Sequence, residues 1–181
     1  MRIKPKAWEA LGAPPEVLRE LRRGARFERR EMPGRYWNKN YGSVAENLKA
    51  TEQDLQRLMD AGWLEGPLHY RPHLVNPLGA IVKEHKFRLV LDCSRSGLND
   101  ACEDVECVLD GLPNLLATVP QGWWASKFDM ADAFLHWAMD QPDADLLGIE
   151  HPVTGEYYRY RFSIFGASQA PALQQRFARR V

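Results

Sequence analysis

Hydrophobic residues recur at helical spacing in the segment that follows residue 50. Leu55, Leu58 and Met59 fall on one face of a helix, with polar residues around them. This spacing of three and four residues is typical of an amphipathic helix whose apolar stripe faces a core. Capping-box patterns at 43–46 and 51–54 predict that helical structure begins just before this stripe. We therefore expect a short helix that packs one face against the protein interior.

Two other regions are rich in β-branched and aromatic residues, with short polar interruptions. Residues 81–83 and 87–91 flank a polar Glu-His-Lys tip, and residues 146–150 and 157–162 flank a Thr-Gly turn. Strand-forming runs that are separated by a few turn residues are typical of β-hairpins. The sequence therefore predicts two hairpins, the first with basic side chains near its tip.

Helices are expected to alternate with these hairpins. The apolar run 123–128 predicts a strand that ends at Asp129, and good helix formers follow at 131–135. Further short helices are predicted at 16–25, within 103–121 and after Pro171. Helices mixed with hairpins in this way indicate the α+β class.

The composition fits one compact domain, and the distribution of charge along the chain is uneven. The 181 residues carry 24 basic and 24 acidic side chains, so no net charge attracts a polyanion. The first 50 residues nevertheless hold 12 basic and 6 acidic groups, whereas residues 101–181 hold 6 and 11. We interpret residues 1–42 as a basic, partly irregular N-terminal arm.

The chain lacks the patterns of membrane and secreted proteins. No apolar stretch approaches the roughly 18 residues needed to span a bilayer, and no secretory signal is visible at residues 1–11. We expect a soluble intracellular protein, cytoplasmic or nuclear, without a membrane partner. Cys93, Cys102 and Cys107 are odd in number and lack zinc-knuckle spacing, which favours buried thiols in a reducing compartment.

The apolar run that ends at Asp129 contains the strongest chemical signal in the chain. A carboxylate at the end of a strand can bind a hard cation such as Mg²⁺. Asp132, three residues later, has a second interpretation as the N-cap of the following helix. Trp123, Trp124 and Trp137 are interpreted as core residues rather than as platforms for nucleic-acid bases.

Three ordered blocks resemble motifs of the reverse transcriptases, most closely those of retrotransposons. The first catalytic motif, in which a hydrophobic strand delivers an aspartate, is matched by Asp129, Asp132, Ala133 and Phe134. The fingers hairpin of this family is matched by 76–92 and 98–99, and its second palm motif by 155–160 and 165–171. The resemblance covers about residues 43–181. It implies a right-hand polymerase fold and the addition of deoxynucleotides to a primer on an RNA or DNA template.

The resemblance also implies a role for each matched residue. Asp129 would be the catalytic carboxylate and, with the backbone carbonyl of Met130, a ligand of Mg²⁺, of which the complete enzyme is expected to hold two ions. Arg88 and either Lys83 or Lys86 would contact the triphosphate of the incoming deoxynucleotide. The other nucleotide-binding residues would be Asp132 and Ala133 through their amides, Phe134 as a barrier to a 2′-hydroxyl, Gly166 and Gln169.

These residues also have simpler interpretations. Phe134 suits ordinary core packing, and basic side chains on a hairpin protect a strand edge from pairing. A rival function is a decayed or domesticated module that binds nucleic acid or a partner without catalysis, through the N-terminal arm and the fingers. The arginines of the arm that would contact phosphates are Arg19, Arg22, Arg23, Arg26, Arg29 and Arg30.

The resemblance divides the chain into parts of a polymerase. It implies fingers at 43–103, palm with the first catalytic motif at 104–139, a return to the fingers at 140–165 and the start of the second palm helix at 166–181. The third palm motif, with its Asp-Asp pair, and the thumb have no counterpart in this sequence. We therefore expect a fingers and partial-palm fragment, truncated before that motif. Without the remainder of a polymerase polypeptide it would be marginally stable and inactive.

Overall fold

The computed structural model describes residues 5–84, 86–107, 111–120, 122–124, 126 and 129–178. The helices are α1 (Pro5–Ala10), α2 (Pro15–Arg23), α3 (Gly42–Glu46), α4 (Leu48–Asp60), α5 (Leu98–Ala101), α6 (Leu112–Thr118), α7 (Gln141–Ala144) and α8 (Ala170–Ala178), with a 3-10 helix at Ala133–His136. The strands are β1 (Tyr36–Trp37), β2 (Leu64–Leu68), β3 (Leu74–Val75), β4 (Leu78–Lys83), β5 (Lys86–Leu91), β6 (Gly148–Glu150) and β7 (Tyr157–Tyr160). None of the helices in these ranges is long and apolar enough to span a membrane.

The strands form a mixed sheet and a separate hairpin. The mixed sheet has the order β1-β3-β6-β7-β2, in which β1, β3 and β6 are parallel and β7 is antiparallel to both of its neighbours. Strands β4 and β5 pair only with each other among the described residues, and Lys83 faces Lys86 next to the tip. Both predicted hairpins, β4–β5 and β6–β7, are confirmed, and the protein is a mixed structure of helices and strands as expected.

Helix α4 has the predicted apolar face but not the predicted caps. The apolar stripe faces the core, where Leu55 and Leu58 are buried and Met59 partly buried, and α4 packs against β2 and β5. Thr51 lies inside the helix and is fully buried, and Asn47, at the helix start, makes no side-chain capping bond. The Ser43 hydroxyl accepts a hydrogen bond from the Ala80 amide at 3.1 Å and thereby ties α3 to β4. Both capping-box predictions are wrong, because Ser43 and Thr51 lie inside α3 and α4 and not at their starts, and the Thr51 hydroxyl has no hydrogen-bond partner among the described residues.

The core combines side chains of the mixed sheet, α4 and α8. Its largest fully buried side chains are Leu55, Leu74, Leu78, Leu98, Leu146, Leu147, Ile149 and Leu173. Trp137 is buried in a second cluster with Val17 of α2, which confirms its predicted core position. Trp123 and Trp124 are 73% and 99% exposed, so their predicted core packing is wrong. Local hydrophobicity marks a residue that could be buried, but another element has to cover it.

The segment that follows α2 is held in the domain by long-range contacts. The helix predicted at 16–25 is confirmed by α2, whereas α1 was not predicted. After α2, the buried Phe27 donates its amide to the carboxylate of Asp143 at 2.6 Å. The guanidinium of Arg29 donates to the other oxygen of the same carboxylate at 2.5 Å. Residues 25–30 are therefore an ordered part of the domain.

Cys93 and Cys102 are buried free thiols, as predicted, and Cys107 is a half-buried one. Burial raises the pKa of Cys93, and it also raises the pKa of Cys102, to about 11. The ordinary value for a thiol is 9.0. The folded protein therefore keeps both buried thiols neutral at a pH where an unfolded chain would ionise them.

We expect the protein to lose stability above pH 9. Below that pH, both states keep the thiols of Cys93 and Cys102 protonated. Above it, only the unfolded chain releases these protons, so the free energy of unfolding falls by about 1.4 kcal/mol per pH unit for each thiol. Urea denaturation under reducing conditions should show a loss of about 2–3 kcal/mol between pH 8 and 10. Most of that loss should be absent from a Cys93→Ala/Cys102→Ala variant.

The half-buried Cys107 provides the control for this experiment. A Cys107→Ala variant should lose as much stability between pH 8 and 10 as the wild-type protein. The same pH dependence in the wild type and in the Cys93→Ala/Cys102→Ala variant would contradict the explanation.

Candidate functional site

An open groove of about 750 Å³ lies between the β4–β5 hairpin, helix α4 and residues 129–135. Seven of the nine site residues predicted from the sequence line this groove. They are Arg88, Asp129, Met130, Asp132, Ala133, Phe134 and Gly166. These residues come from three separate stretches of the chain, which the tertiary fold brings together. Lys83 and Gln169 do not line the groove.

The segment that carries Asp129 differs locally from the prediction. Residues 125, 127 and 128 of the expected strand lie outside the described residues, and 129–130 form neither helix nor strand. The helix expected at 131–135 is replaced by a turn and the 3-10 helix Ala133–His136. The cause is Asp132, whose φ of +50° is left-handed and cannot continue a right-handed helix. Asp132 does stand at the N-cap position of this 3-10 helix, but its side chain makes no capping hydrogen bond.

Arg57 of α4 forms one wall of the groove and joins two of its carboxylates. Its Nε donates to Asp54 at 2.8 Å and its Nη1 donates to Asp132 at 3.2 Å, while the guanidinium lies 5.6 Å from the ring centroid of Trp63. Partial burial lowers the pKa of Arg57, but the hydrogen bonds and charges of the two aspartates outweigh it and raise the pKa overall. Tyr160 also lines the groove, and burial raises the pKa of its phenol. Arg57 is therefore charged and Tyr160 neutral at neutral pH.

A row of one cation and two aromatic rings, Arg88, Phe165 and Phe134, lines another part of the groove. Arg88 lies on β5, with its guanidinium carbon 6.0 Å from the ring centroid of Phe165. Phe165 in turn meets Phe134 edge to face, with 4.6 Å between the ring centroids. Phe134 also packs against the core, so both interpretations of this residue, core packing and a groove-lining ring, agree with its position. The half-exposed Phe165 gives the groove an aromatic surface beside a cation.

Gly166, the residue after Phe165, is in close contact with the end of β5. Its φ is +113°, and a Cβ at this position would overlap the carbonyl oxygen of Leu91. Its own carbonyl oxygen accepts a hydrogen bond from the Asn99 side chain at 2.9 Å. The sequence suggested that this glycine admits a nucleotide or template, but the close approach seen here is to the backbone of β5. The need for glycine at this position is therefore explained by packing.

The two predicted residues outside the groove have other positions. Lys83 is exposed near the hairpin tip, whereas Lys86, the alternative considered for the same role, lines the groove. Gln169 is buried, and its side-chain amide donates to the carbonyl oxygens of Glu28 and Glu103, both at 2.8 Å. Its side-chain oxygen accepts a bond from the Glu28 amide at 2.8 Å. Gln169 therefore fixes the N-terminal segment and has no side-chain group directed at a nucleotide in the groove.

The oxygen donors at Asp129 are suited in kind to a hard cation. The carboxylate of Asp129 is exposed in the groove, and no described cation pairs with it, whereas Asp132 is engaged by Arg57. The Asp129 carboxylate and the Met130 carbonyl are both oxygen ligands of the type that Mg²⁺ prefers. Water and phosphate oxygens commonly complete the coordination shell of this ion. Among the described residues, no group of three or more histidine, cysteine, aspartate or glutamate side chains is placed to hold a metal ion.

The groove residues without a role assigned from the sequence include Asp54, Arg57 and Phe165. Asp54 and Arg57 lie on α4, whose pattern indicates only an amphipathic helix, and Phe165 was seen only as part of a matched motif. Nothing in a scan of protein-family models or in a search of the curated proteins matches this chain. The functional conclusion therefore depends on the chemistry of the groove.

Proposed function

We propose that this chain is the fingers and partial palm of a reverse-transcriptase-like polymerase and that its groove binds a deoxynucleoside triphosphate with Mg²⁺. One observation carries the proposal. Residues assigned to one nucleotide site by resemblance, from the hairpin, the Asp129 segment and the Phe165–Gly166 segment, line one groove. This convergence is independent of the sequence matching, because nothing in the order of the motifs requires them to meet in space.

The charges of the groove support a triphosphate ligand on one side and a cation on the other. Lys86 and Arg88 lie two residues apart on β5, so their side chains project from the same face of the hairpin. They provide positive charge for phosphate oxygens, and Arg88 can do so through a planar fork. Bound Mg²⁺ would neutralise phosphate charge and activate a primer hydroxyl. Asp129 would hold the ion by a carboxylate oxygen.

The aromatic side chains of the groove are suited to contact the sugar and base of the proposed nucleotide. Phe134 and Phe165 form adjoining apolar surfaces near the Arg88 guanidinium. A ring next to the sugar would crowd a 2′-hydroxyl and favour deoxynucleotides. Phe134 is held in place by its edge-to-face contact with Phe165, which restricts how far the ring could move aside.

The rival function, phosphate binding by the N-terminal arm, receives less support. Arg22 pairs with Glu9, Arg26 with Asp140, Arg29 with Asp143, and Arg30 with Glu103 and Asp104. Each of these arginines would have to exchange a carboxylate for a phosphate. The arm therefore offers much less free positive charge than its arginine content suggests.

The proposal is tested by equilibrium binding of dTTP with Mg²⁺ and with EDTA. The wild-type protein should bind more tightly with Mg²⁺, and Asp129→Asn should remove this difference because it removes a charged metal ligand. Arg88→Gln should weaken binding about ten-fold, since it removes one charge-assisted hydrogen bond. Any Mg²⁺-dependent addition of dTMP to a primed RNA template should be abolished by Asp129→Asn.

Asp104→Asn provides the matched control, because Asp104 is 99% exposed and is not among the residues that line the groove. It should leave dTTP binding unchanged. Absence of dTTP binding in the wild type, or binding that neither Asp129→Asn nor Arg88→Gln alters, would refute the proposed function.

A further inference from the structure

We infer that Arg57 is a positioning residue, which holds the Asp132 turn and through it the ring of Phe134 in the groove. The consequence for nucleotide choice rests on the proposed function, whereas the effect on the turn does not. Arg57 has three contacts that fix its guanidinium, with Asp54, Trp63 and Asp132. Asp54 belongs to α4 and Trp63 to the loop after it, so these two contacts hold the guanidinium with its Nη1 directed at the Asp132 carboxylate.

Among the described residues, few hydrogen bonds within the Asp132 turn keep it closed, and one of them joins the His136 Nε2 to the Ala131 carbonyl oxygen at 3.0 Å. Asp132 has a left-handed backbone, which is unfavourable for most residues with a side chain and which Asp and Asn adopt only as single residues, so it cannot extend into a helix. The 3-10 helix that follows spans four residues and begins with the bond from the Leu135 amide to the Asp132 carbonyl, at 2.8 Å. A helix this short does not stabilise itself. The bond from Arg57 to the Asp132 carboxylate therefore has a direct effect on the conformation of the turn.

The Asp132 turn fixes the backbone that carries Phe134, whose ring also packs against the core. Phe134 is two residues after Asp132, inside the 3-10 helix, and its ring adjoins that of Phe165 edge to face. If the turn opens, the ring loses its fixed distance from Phe165 and from the sugar of a bound nucleotide. Arg57 is therefore expected to control discrimination against a 2′-hydroxyl without contacting the sugar itself.

Hydrogen exchange at the Leu135 amide tests the effect on the turn without any nucleotide. Arg57→Gln should speed this exchange about two- to five-fold, the range expected for loss of a half-exposed ion pair. Arg57→Lys should have a smaller effect, since it retains the charge but not the fork that bridges two carboxylates. In an Asp132→Asn background, which retains a side chain tolerant of left-handed backbone, Arg57→Gln should have no further effect.

The control is Arg22→Gln, which removes another exposed arginine pair, with Glu9 at 2.9 Å, outside the groove. It should leave exchange at Leu135 unchanged. Unchanged exchange in Arg57→Gln, or equal acceleration in Arg22→Gln, would overturn the inference.

Binding of dUTP and UTP with Mg²⁺, two nucleotides that differ only in the 2′-hydroxyl, tests the link to Phe134. The wild-type protein should prefer dUTP, and in Arg57→Gln the ratio of the two dissociation constants should move towards one. A variant that speeds exchange at Leu135 but leaves this ratio unchanged would overturn the link. If the wild type binds neither nucleotide while Arg57→Gln still speeds the exchange, the proposed function fails and the role of Arg57 in the turn is supported.

Discussion

Replacement of Asp143 by alanine is expected to lower the free energy of unfolding by about 3–5 kcal/mol. Asp143 is 1% exposed, and its two carboxylate oxygens accept hydrogen bonds from the Phe27 amide and the Arg29 guanidinium. Alanine leaves a buried amide without an acceptor and a mostly buried cation without its counterion. Both partners belong to the segment after α2, so the variant should also release that segment. Urea denaturation measures the loss, and faster tryptic cleavage at Arg26, Arg29 or Arg30 reports the release.

Asp104→Ala is the matched control for this variant. Asp104 also pairs with an arginine of the same segment, Arg30, at 2.7 Å, but its side chain is 99% exposed. Its loss should leave the urea denaturation curve essentially unchanged, because a fully exposed ion pair contributes little. If Asp143→Ala costs no more than Asp104→Ala, the buried pair does not anchor the segment. In an Arg29→Gln background the cost of Asp143→Ala should be smaller, because the uncompensated cation is already gone.

The anchoring of this segment could not have been predicted from the sequence. Hairpins β4–β5 and β6–β7 and the apolar face of α4 could, because each is encoded by neighbouring residues with a regular spacing. The contact of Phe27 with Asp143 joins residues 116 positions apart, and that of Glu28 with Gln169 joins residues 141 apart. Single polar residues at such distances have no periodicity. Gln169 was consequently assigned to a nucleotide, although its amide is used to hold the chain.

The composition of the site could be predicted further than its geometry. The motif residues from Asp129 to Phe134, with Arg88 and Gly166, line one groove, in agreement with the single site that the resemblance implied. The left-handed turn at Asp132 was missed, because good helix formers around it favour a helix when tertiary contacts are ignored. Arg57 was missed because its partner Asp132 lies 75 residues away, and no local pattern connects the two. The exposed Trp124 shows the converse error, in which local hydrophobicity was taken for burial.

Gly166→Ala is expected to destabilise the protein by about 3 kcal/mol or more, from backbone strain and overpacking together. At a φ of +113°, a residue with a side chain is strained before any contact is considered. The new Cβ would also overlap the carbonyl oxygen of Leu91 and lie 2.9 Å from the carbonyl carbon. Leu91 is buried at the end of β5, so it cannot move aside without disturbing the core. Urea denaturation of the variant measures the sum of these effects.

Gly155→Ala separates strain from overlap. Gly155 also has a positive φ, +70°, but a Cβ there would meet nothing within 4 Å. Its cost should be about 1 kcal/mol, from the backbone alone. If Gly166→Ala lowers the free energy of unfolding no more than Gly155→Ala does, the contact with Leu91 is not tight. A larger cost locates the constraint where β5 meets the Phe165–Gly166 segment. Gly166→Ala should then also displace Phe165 from the Arg88 guanidinium and weaken the proposed binding of dTTP in the protein that remains folded.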